Sequence, residues 1–217
     1  MTELSFYIAM VGTVAFASSA VLSLAEKRAD LFAASVIGIL TAIGGGTVRD
    51  IVLDVPVFWA SDLSYVWVAL GTTVVTFYAY SIFQRRTLPR LFLYVDAFAT
   101  SMFAIQATYK VWDLEFGLPI APVLLGVISA FGGGIIRDVL LERPTMLMSR
   151  DLYAVPVVLG CICFTLILTY AWEYRIWGYI ACIIMIFVIR SAAIRWNLRV
   201  PDWATMGYAR ASPDAGK

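Results

Sequence analysis

The sequence contains no histidine and few charged side chains. Only 14% of its 217 residues are charged, whereas soluble domains usually carry about 25%. Without histidine, the commonest general base and the commonest metal ligand are missing. A net charge of +1 gives no electrostatic support for nucleic-acid binding. The sequence therefore predicts no enzyme, no metal site, no cofactor and no nucleic-acid partner.

What the sequence does contain is hydrophobic residues, which make up 61% of the chain. The three cysteines, Cys161, Cys163 and Cys182, lie in apolar runs and are interpreted as small core residues. A helix needs about 20 apolar residues to cross a bilayer. Seven segments approach that length, and we predict an all-α polytopic membrane protein with transmembrane helices at Leu4–Leu24, Leu31–Val48, Leu63–Phe83, Leu91–Tyr109, Leu118–Ile136, Leu152–Ala171 and Ile176–Ile189, the last extended towards Trp196.

Basic residues between these spans are unevenly distributed. With the N-terminus outside, thirteen basic residues fall on the inner side and three on the outer side. The positive-inside rule then favours an external N-terminus and a cytoplasmic C-terminus. For a bacterial chain this places the protein in the inner membrane.

One nine-residue phrase occurs twice, at Ala42–Asp50 and Ala130–Asp138, 88 positions apart. With three spans in each half, the two copies must be inverted in the membrane. We predict a first repeat at 1–90, a second at 91–174, a seventh helix at 175–200 and a cytoplasmic tail at 201–217. The second and fifth helices are predicted to be broken at their glycine triplets.

Each phrase contains three consecutive glycines, Gly44, Gly45 and Gly46 in the first and Gly132, Gly133 and Gly134 in the second. Glycine costs roughly 1 kcal/mol against alanine inside a helix, and matched breaks in two repeats are typical of a transport pathway. The triplets could form a polar constriction at mid-bilayer. They could equally be small surfaces that let two helices pack closely.

Arginine and aspartate follow each triplet, as Arg49 with Asp50 and Arg137 with Asp138. Neighbouring helical residues point in different directions, so the sequence argues against pairing within each couple. They could pair across the repeats, line the vestibules, or act as purely structural ion pairs. Asp96, placed well within a span, could line the pathway or cap the start of the fourth helix.

Two lysines, Lys27 and Lys110, end the first and fourth spans at matching places. Each could be a snorkelling anchor, a gate or a lipid contact. Arg85, Arg86 and Arg90 form a basic cluster that could set orientation or bind an anionic lipid headgroup.

Two copies of Gly-Gly-Gly-x-x-Arg-Asp, the run from Arg49 to Trp59, and Asp96 with Lys110 downstream resemble the prokaryotic branch of the trimeric intracellular cation (TRIC) channel family. The similarity extends over residues 4 to 196. It implies a three-plus-three inverted repeat plus one helix, with kinks at Gly44–Gly46 and Gly132–Gly134. It also implies a homotrimer with one pore per protomer that passes monovalent cations, potassium before sodium.

Relatives with the same duplicated domain resemble small-amino-acid transporters, for glycine in particular. The doubled motif does not separate the two activities. A channel needs a continuous wetted path, whereas a carrier needs gates on both sides of an occluded site.

Overall fold

The computed structural model describes residues 2–24, 27, 29–80, 88–148 and 153–198, and these residues contain eight α-helices. The predicted all-α class is therefore confirmed. The seven predicted spans correspond to the seven longer helices, and the additional α3 is a single turn. The helices are α1 (Thr2–Ser23), α2 (Leu31–Val52), α3 (Phe58–Ser61), α4 (Ser64–Ala79), α5 (Leu88–Asp113), α6 (Ile120–Leu140), α7 (Val155–Tyr170) and α8 (Arg175–Trp196).

Five helices, α1, α2, α5, α6 and α8, are long and apolar enough to cross a membrane, and the chain is an integral membrane protein. The other two apolar helices, α4 and α7, have 16 residues each, which gives about 24 Å at 1.5 Å per residue. The spans predicted for these two helices were longer, because the first was predicted to end at Phe83 and the second to begin at Leu152. Both of these residues lie outside the described part of the chain. The count of seven spans therefore stays a prediction.

The helices α2 and α6 end in the same way. Asp54 and Glu142, 88 positions apart, both adopt left-handed backbone conformations, with φ of 54° and 50°. The next amides, of Val55 and Arg143, donate to the carbonyls of Asp50 and Asp138 at 3.1 and 2.9 Å. This 6→1 bond is typical of a Schellman cap, so the repeat in the sequence is also a repeat in local structure.

The prediction that the second and fifth helices break at glycine is wrong in this structure. Both α2 and α6 remain α-helical through their triplets and for a full turn beyond. Close packing against another helix compensates for the low helix propensity of glycine, as tertiary contacts often do.

The helix pairs α2–α6 and α1–α5 form the most extensive contacts in the bundle, together with α5–α6. Helix α8 packs against α5 and α7. Large apolar side chains face outward around the bundle, including Trp67, Val75 and Ile184. An apolar exterior around buried polar residues is the arrangement that a lipid environment requires.

Candidate functional site

The two glycine triplets face each other where α2 crosses α6. A Cβ atom on Gly45 would lie 2.0 Å from the Ser129 carbonyl oxygen, and one on Gly133 would lie 2.0 Å from that of Thr41. Gly132 would place a Cβ only 2.8 Å from the Cα atom of Gly45. The backbones of the two helices therefore touch, and the packing alternative for the glycines describes this crossing.

A first ion cluster lies at the end of α2. Asp50 Oδ1 accepts from Arg49 Nε and from Lys110 Nζ, each at 2.8 Å. Asp50 Oδ2 accepts from the Phe58 amide at 2.9 Å, and Arg49 Nη1 donates to Gln106 Oε1 at 2.8 Å. The side chains of Arg49 and Asp50 are buried, whereas that of Lys110 is 27% exposed. This cluster therefore has one positive charge in excess and one partly open side.

A second cluster lies at the end of α6. Arg137 Nε pairs with Asp138 Oδ1 at 2.9 Å, and its Nη1 pairs with Asp96 Oδ1 at 2.8 Å. Asp96 Oδ2 accepts from Arg190 Nη2 at 3.3 Å and from the Tyr153 hydroxyl at 3.2 Å. Two arginines and two aspartates balance, and all four side chains are buried.

The sequence prediction against pairing between adjacent arginine and aspartate was wrong. In both clusters the arginine folds back so that its Nε reaches the next residue's carboxylate. Neither arginine pairs with the aspartate of the other repeat among the described contacts. The alternative that Asp96 caps a helix start was wrong too, because α5 begins at Leu88 and Asp96 lies eight residues inside it.

Arg49, Arg137 and Arg190 were counted as flanking charges in the topology argument, but all three are buried inside helices. Sequence reasoning also missed Gln106 and Tyr153 as members of the clusters. The available signal was a polar or charged residue within an apolar run, which in a membrane span indicates a functional or paired group.

The two clusters lie at opposite ends of α1. Ser5 and Phe6, near the start of α1, line a cavity together with Arg49. Ser19, near the end of α1, accepts from Arg137 Nη1 at 3.1 Å, and the Ser23 carbonyl accepts from Arg143 at 2.9 Å. The C-terminal ends of α2 and α6 thus lie near opposite ends of the same helix.

The remaining basic candidates lie apart from each other. Lys27 donates to the Leu141 carbonyl at the end of α6, whereas Lys110 joins the first cluster. Arg90 is exposed in the first turn of α5. Arg85 and Arg86 lie outside the described residues.

Each end of the bundle has one of two described cavities. The first, of about 240 Å³, is lined by residues that include Arg49, Tyr65, Gln106, Lys110 and Asp113. The second, of about 190 Å³, is lined by Leu22, Ser23, Pro89, Phe92, Leu93, Arg143 and Met146. No group of three His, Cys, Asp or Glu residues suited to hold a metal occurs in the described part of the chain.

A known protein family matches both halves of this duplicated chain. The family model described as "Glycine transporter" matches twice, at residues 6–81 and 93–169. The chain belongs to this family. The inner membrane protein YadS of Escherichia coli strain K12 is 37% identical over 204 residues, which cover 93% of this chain and 97% of YadS.

Solved structures of TRIC channels share the fold of this family member. A prokaryotic TRIC channel crystallised in 0.5 M KCl has a TM-score of 0.84 and 25% identity, covering 91% of this chain and 98% of the channel. A TRIC orthologue from Rhodobacter sphaeroides has a TM-score of 0.84 and 30% identity, covering 90% of this chain and 99% of the orthologue. The resemblance noted in the sequence is thus confirmed at the level of the fold.

Proposed function

We propose that this chain is a monovalent cation channel, with potassium preferred, that has a pore within each protomer of a homotrimer. The observation that carries the proposal is the TM-score of 0.84 to TRIC channels over nearly the whole of both chains, at 25–30% identity. The R. sphaeroides protein is described as a trimeric intracellular cation channel. The proposal includes residence in the bacterial inner membrane, with an external N-terminus and a cytoplasmic C-terminus.

The proposed route runs between the two cavities, past the crossing of α2 and α6. The positions of the C-terminal ends of α2 and α6 near opposite ends of α1 support inverted repeats at 1–90 and 91–174, with α8 as the additional helix. The glycine crossing lies between the two ends, and we propose it as the constriction. Opening would require the touching backbones to separate, so this structure supports a closed state at that point.

Transport of glycine is the second candidate function. The family model that matches both halves is described as a glycine transporter. The first cluster adds a specific observation, because its excess positive charge suits a carboxylate better than a cation. A carrier would use the same repeats and alternate between its two cavities.

Recording from purified protein in planar bilayers separates the two functions. A channel gives discrete ohmic steps, and a potassium gradient shifts the reversal potential. A carrier gives no steps but saturable glycine uptake in proteoliposomes. Absence of steps together with saturable uptake overturns the channel proposal in favour of the carrier.

The basic residues at the end of the bundle around Arg90 are proposed to contact anionic lipid. Lys27 and Arg90, both exposed, belong to that end, on the side that the orientation proposal makes cytoplasmic. Anionic lipid in the cytoplasmic leaflet attracts such residues by about 1 kcal/mol each.

A further inference from the structure

We propose that the cavity beside Arg49 and Lys110 is a binding site for one small zwitterionic amino acid. The two basic side chains would hold its carboxylate, and Asp113 would hold its ammonium group. The substrate class rests on the second candidate function, but the location and polarity of the site follow from the cavity itself.

The inner wall of this cavity presents donors rather than acceptors. Both oxygens of Asp50 are already used, Oδ1 by Arg49 and Lys110 and Oδ2 by the Phe58 amide. Asp50 is also fully buried and is not among the residues that line the cavity, so it presents no open acceptor to a permeant cation there. Lys110 has three N–H donors, is partly exposed and lines the cavity. An incoming carboxylate would balance the cluster's extra positive charge.

The outer part of the same cavity is acidic. Asp113 lies one helical turn beyond Lys110 on α5, is exposed, and lines the cavity. The Tyr109 hydroxyl donates to its Oδ1 at 3.3 Å, and no hydrogen bond to the other oxygen occurs among the described residues. A cationic inner wall and an anionic rim within one cavity match the two charges of an amino acid. A simple carboxylate would use only the inner half.

Three aromatic rings form the apolar part of the cavity lining. The ring of Tyr65 makes edge contacts with Phe6 and Phe58, with centroids 5.8 and 4.7 Å away, and all three rings line the cavity. A volume of about 240 Å³ is below the roughly 300–1,000 Å³ of pockets for drug-sized ligands. A free amino acid such as glycine fits within such a space, and the restriction to a small one rests on the second candidate function.

The opposite end of the bundle does not repeat this arrangement. There Asp96 and Arg190 complete the second cluster, so its charges cancel and its side chains are sealed from the cavity. The lining of the second cavity includes one basic residue, Arg143, and no acid. The inferred site thus belongs to one end of the molecule, although the motif occurs twice.

Equilibrium binding of radiolabelled glycine to the purified full chain in detergent tests the proposal. Lys110→Gln should weaken glycine binding at least about tenfold, and Lys110→Arg should restore most of it. Arg195→Gln, which removes an exposed charge at the end of α8, is the matched control and should leave binding unchanged. Thermal melting of each variant shows whether the fold is retained. If Lys110→Gln does not fold, competition by glycinamide for glycine binding to the native chain tests the same contact.

A ligand panel tests the two ends of the zwitterion separately. Glycine should bind more tightly than acetate, and glycinamide, which lacks the carboxylate, should not compete. Asp113→Asn should weaken the binding of glycine but not of acetate, whereas Glu115→Gln, which changes an exposed acid just after the end of α5, should change neither. Equal binding of acetate and glycine, or glycine binding that is unaffected by Lys110→Gln, overturns the proposal.

Glycine uptake and potassium conductance are measured separately from glycine binding. The proposed function and the proposed binding site can therefore fail independently. Glycine binding with potassium steps and no glycine uptake removes the carrier and keeps the site. Glycine uptake that survives loss of both Lys110 and Asp113 keeps the carrier and removes the site.

Discussion

Gly45 lies directly against the carbonyl oxygen of Ser129, so that a Cβ atom on residue 45 would come within 2.0 Å of it. Gly133 makes the equivalent approach to Thr41 in the other repeat. In both cases the obstacle is backbone of the facing helix, which cannot rotate away as a side chain could. Even a Cβ atom therefore does not fit at these two positions. This requirement for glycine holds whether or not the crossing is also the constriction.

Gly45→Ala is therefore expected to destabilise the protein by about 3 kcal/mol, since overpacking typically costs 1–3 kcal/mol and the obstacle here is rigid. Thermal unfolding in detergent, followed by tryptophan fluorescence, measures the loss. Gly71→Ala is the matched control, because nothing lies within 4 Å of a Cβ at that helical position. It should be neutral or slightly stabilising, by up to about 1 kcal/mol. Equal melting temperatures for the two variants would show that α2 and α6 do not touch in this way.

The buried charges around Asp96 lead to a second prediction. Asp96→Asn leaves the second cluster with two arginines and one aspartate, and breaking a buried ion pair from one side costs about 3–5 kcal/mol. The double variant Asp96→Asn with Arg190→Gln restores the charge balance and should recover at least about 1 kcal/mol of that loss. A double-mutant cycle on unfolding free energies measures this coupling.

Asp113→Asn is the control for this cycle. It changes an exposed acid on the same helix, and its effect on stability should stay within about 0.5 kcal/mol. Additive losses for Asp96 and Arg190 would mean that the two residues do not interact.

The all-α class, the doubled motif and the equivalence of positions 88 apart could be predicted because they depend on apolar run length and on repetition. The sequence did not predict that α2 and α6 remain helical through their glycine triplets. Propensity favours a break at Gly44–Gly46, and only the facing backbone near Ser129 and Gly133 offsets it. That contact joins residues about 90 positions apart and has no local signal.

The ion clusters were partly predictable. Arg49, Asp50, Arg137, Asp138 and Asp96 were identified from their cost in hydrocarbon. Their pairing was not, because directions of Cβ atoms on a helix say little about where a long arginine side chain places its Nε. Arg190 was missed because it was counted as a charge flanking the seventh span, whereas it is buried within α8.

The acids at the two ends should differ in their influence on permeation. Asp138 Oδ1 accepts from Arg137 and Oδ2 from the Met146 amide, and the residue is 3% exposed. Asp113 is exposed at the rim of the first cavity. If the chain conducts cations, Asp113→Asn should lower single-channel conductance at low salt, where the Debye length is about 30 Å at 0.01 M. The effect should fade towards 1 M salt.

Asp138→Asn should instead lower the melting temperature and leave the low-salt conductance of the folded fraction unchanged. That result assigns the Arg137–Asp138 couple to structure. A conductance loss in Asp138→Asn equal to that in Asp113→Asn contradicts the assignment and returns Asp138 to the vestibule.

The inverted arrangement of the repeats can be tested with two cysteine substitutions in a background that lacks the three native cysteines. Ser61, after α2, and Glu142, after α6, are both exposed and follow equivalent helices. Inverted repeats place these residues on opposite faces of the membrane, whereas parallel repeats place them on the same face. With an external N-terminus, a membrane-impermeant maleimide added to whole cells should label Ser61→Cys and not Glu142→Cys. In inside-out vesicles the pattern should reverse. Labelling of both residues from one side contradicts the inverted repeat. Labelling of Glu142→Cys and not Ser61→Cys in whole cells preserves the inverted repeat and overturns only the orientation.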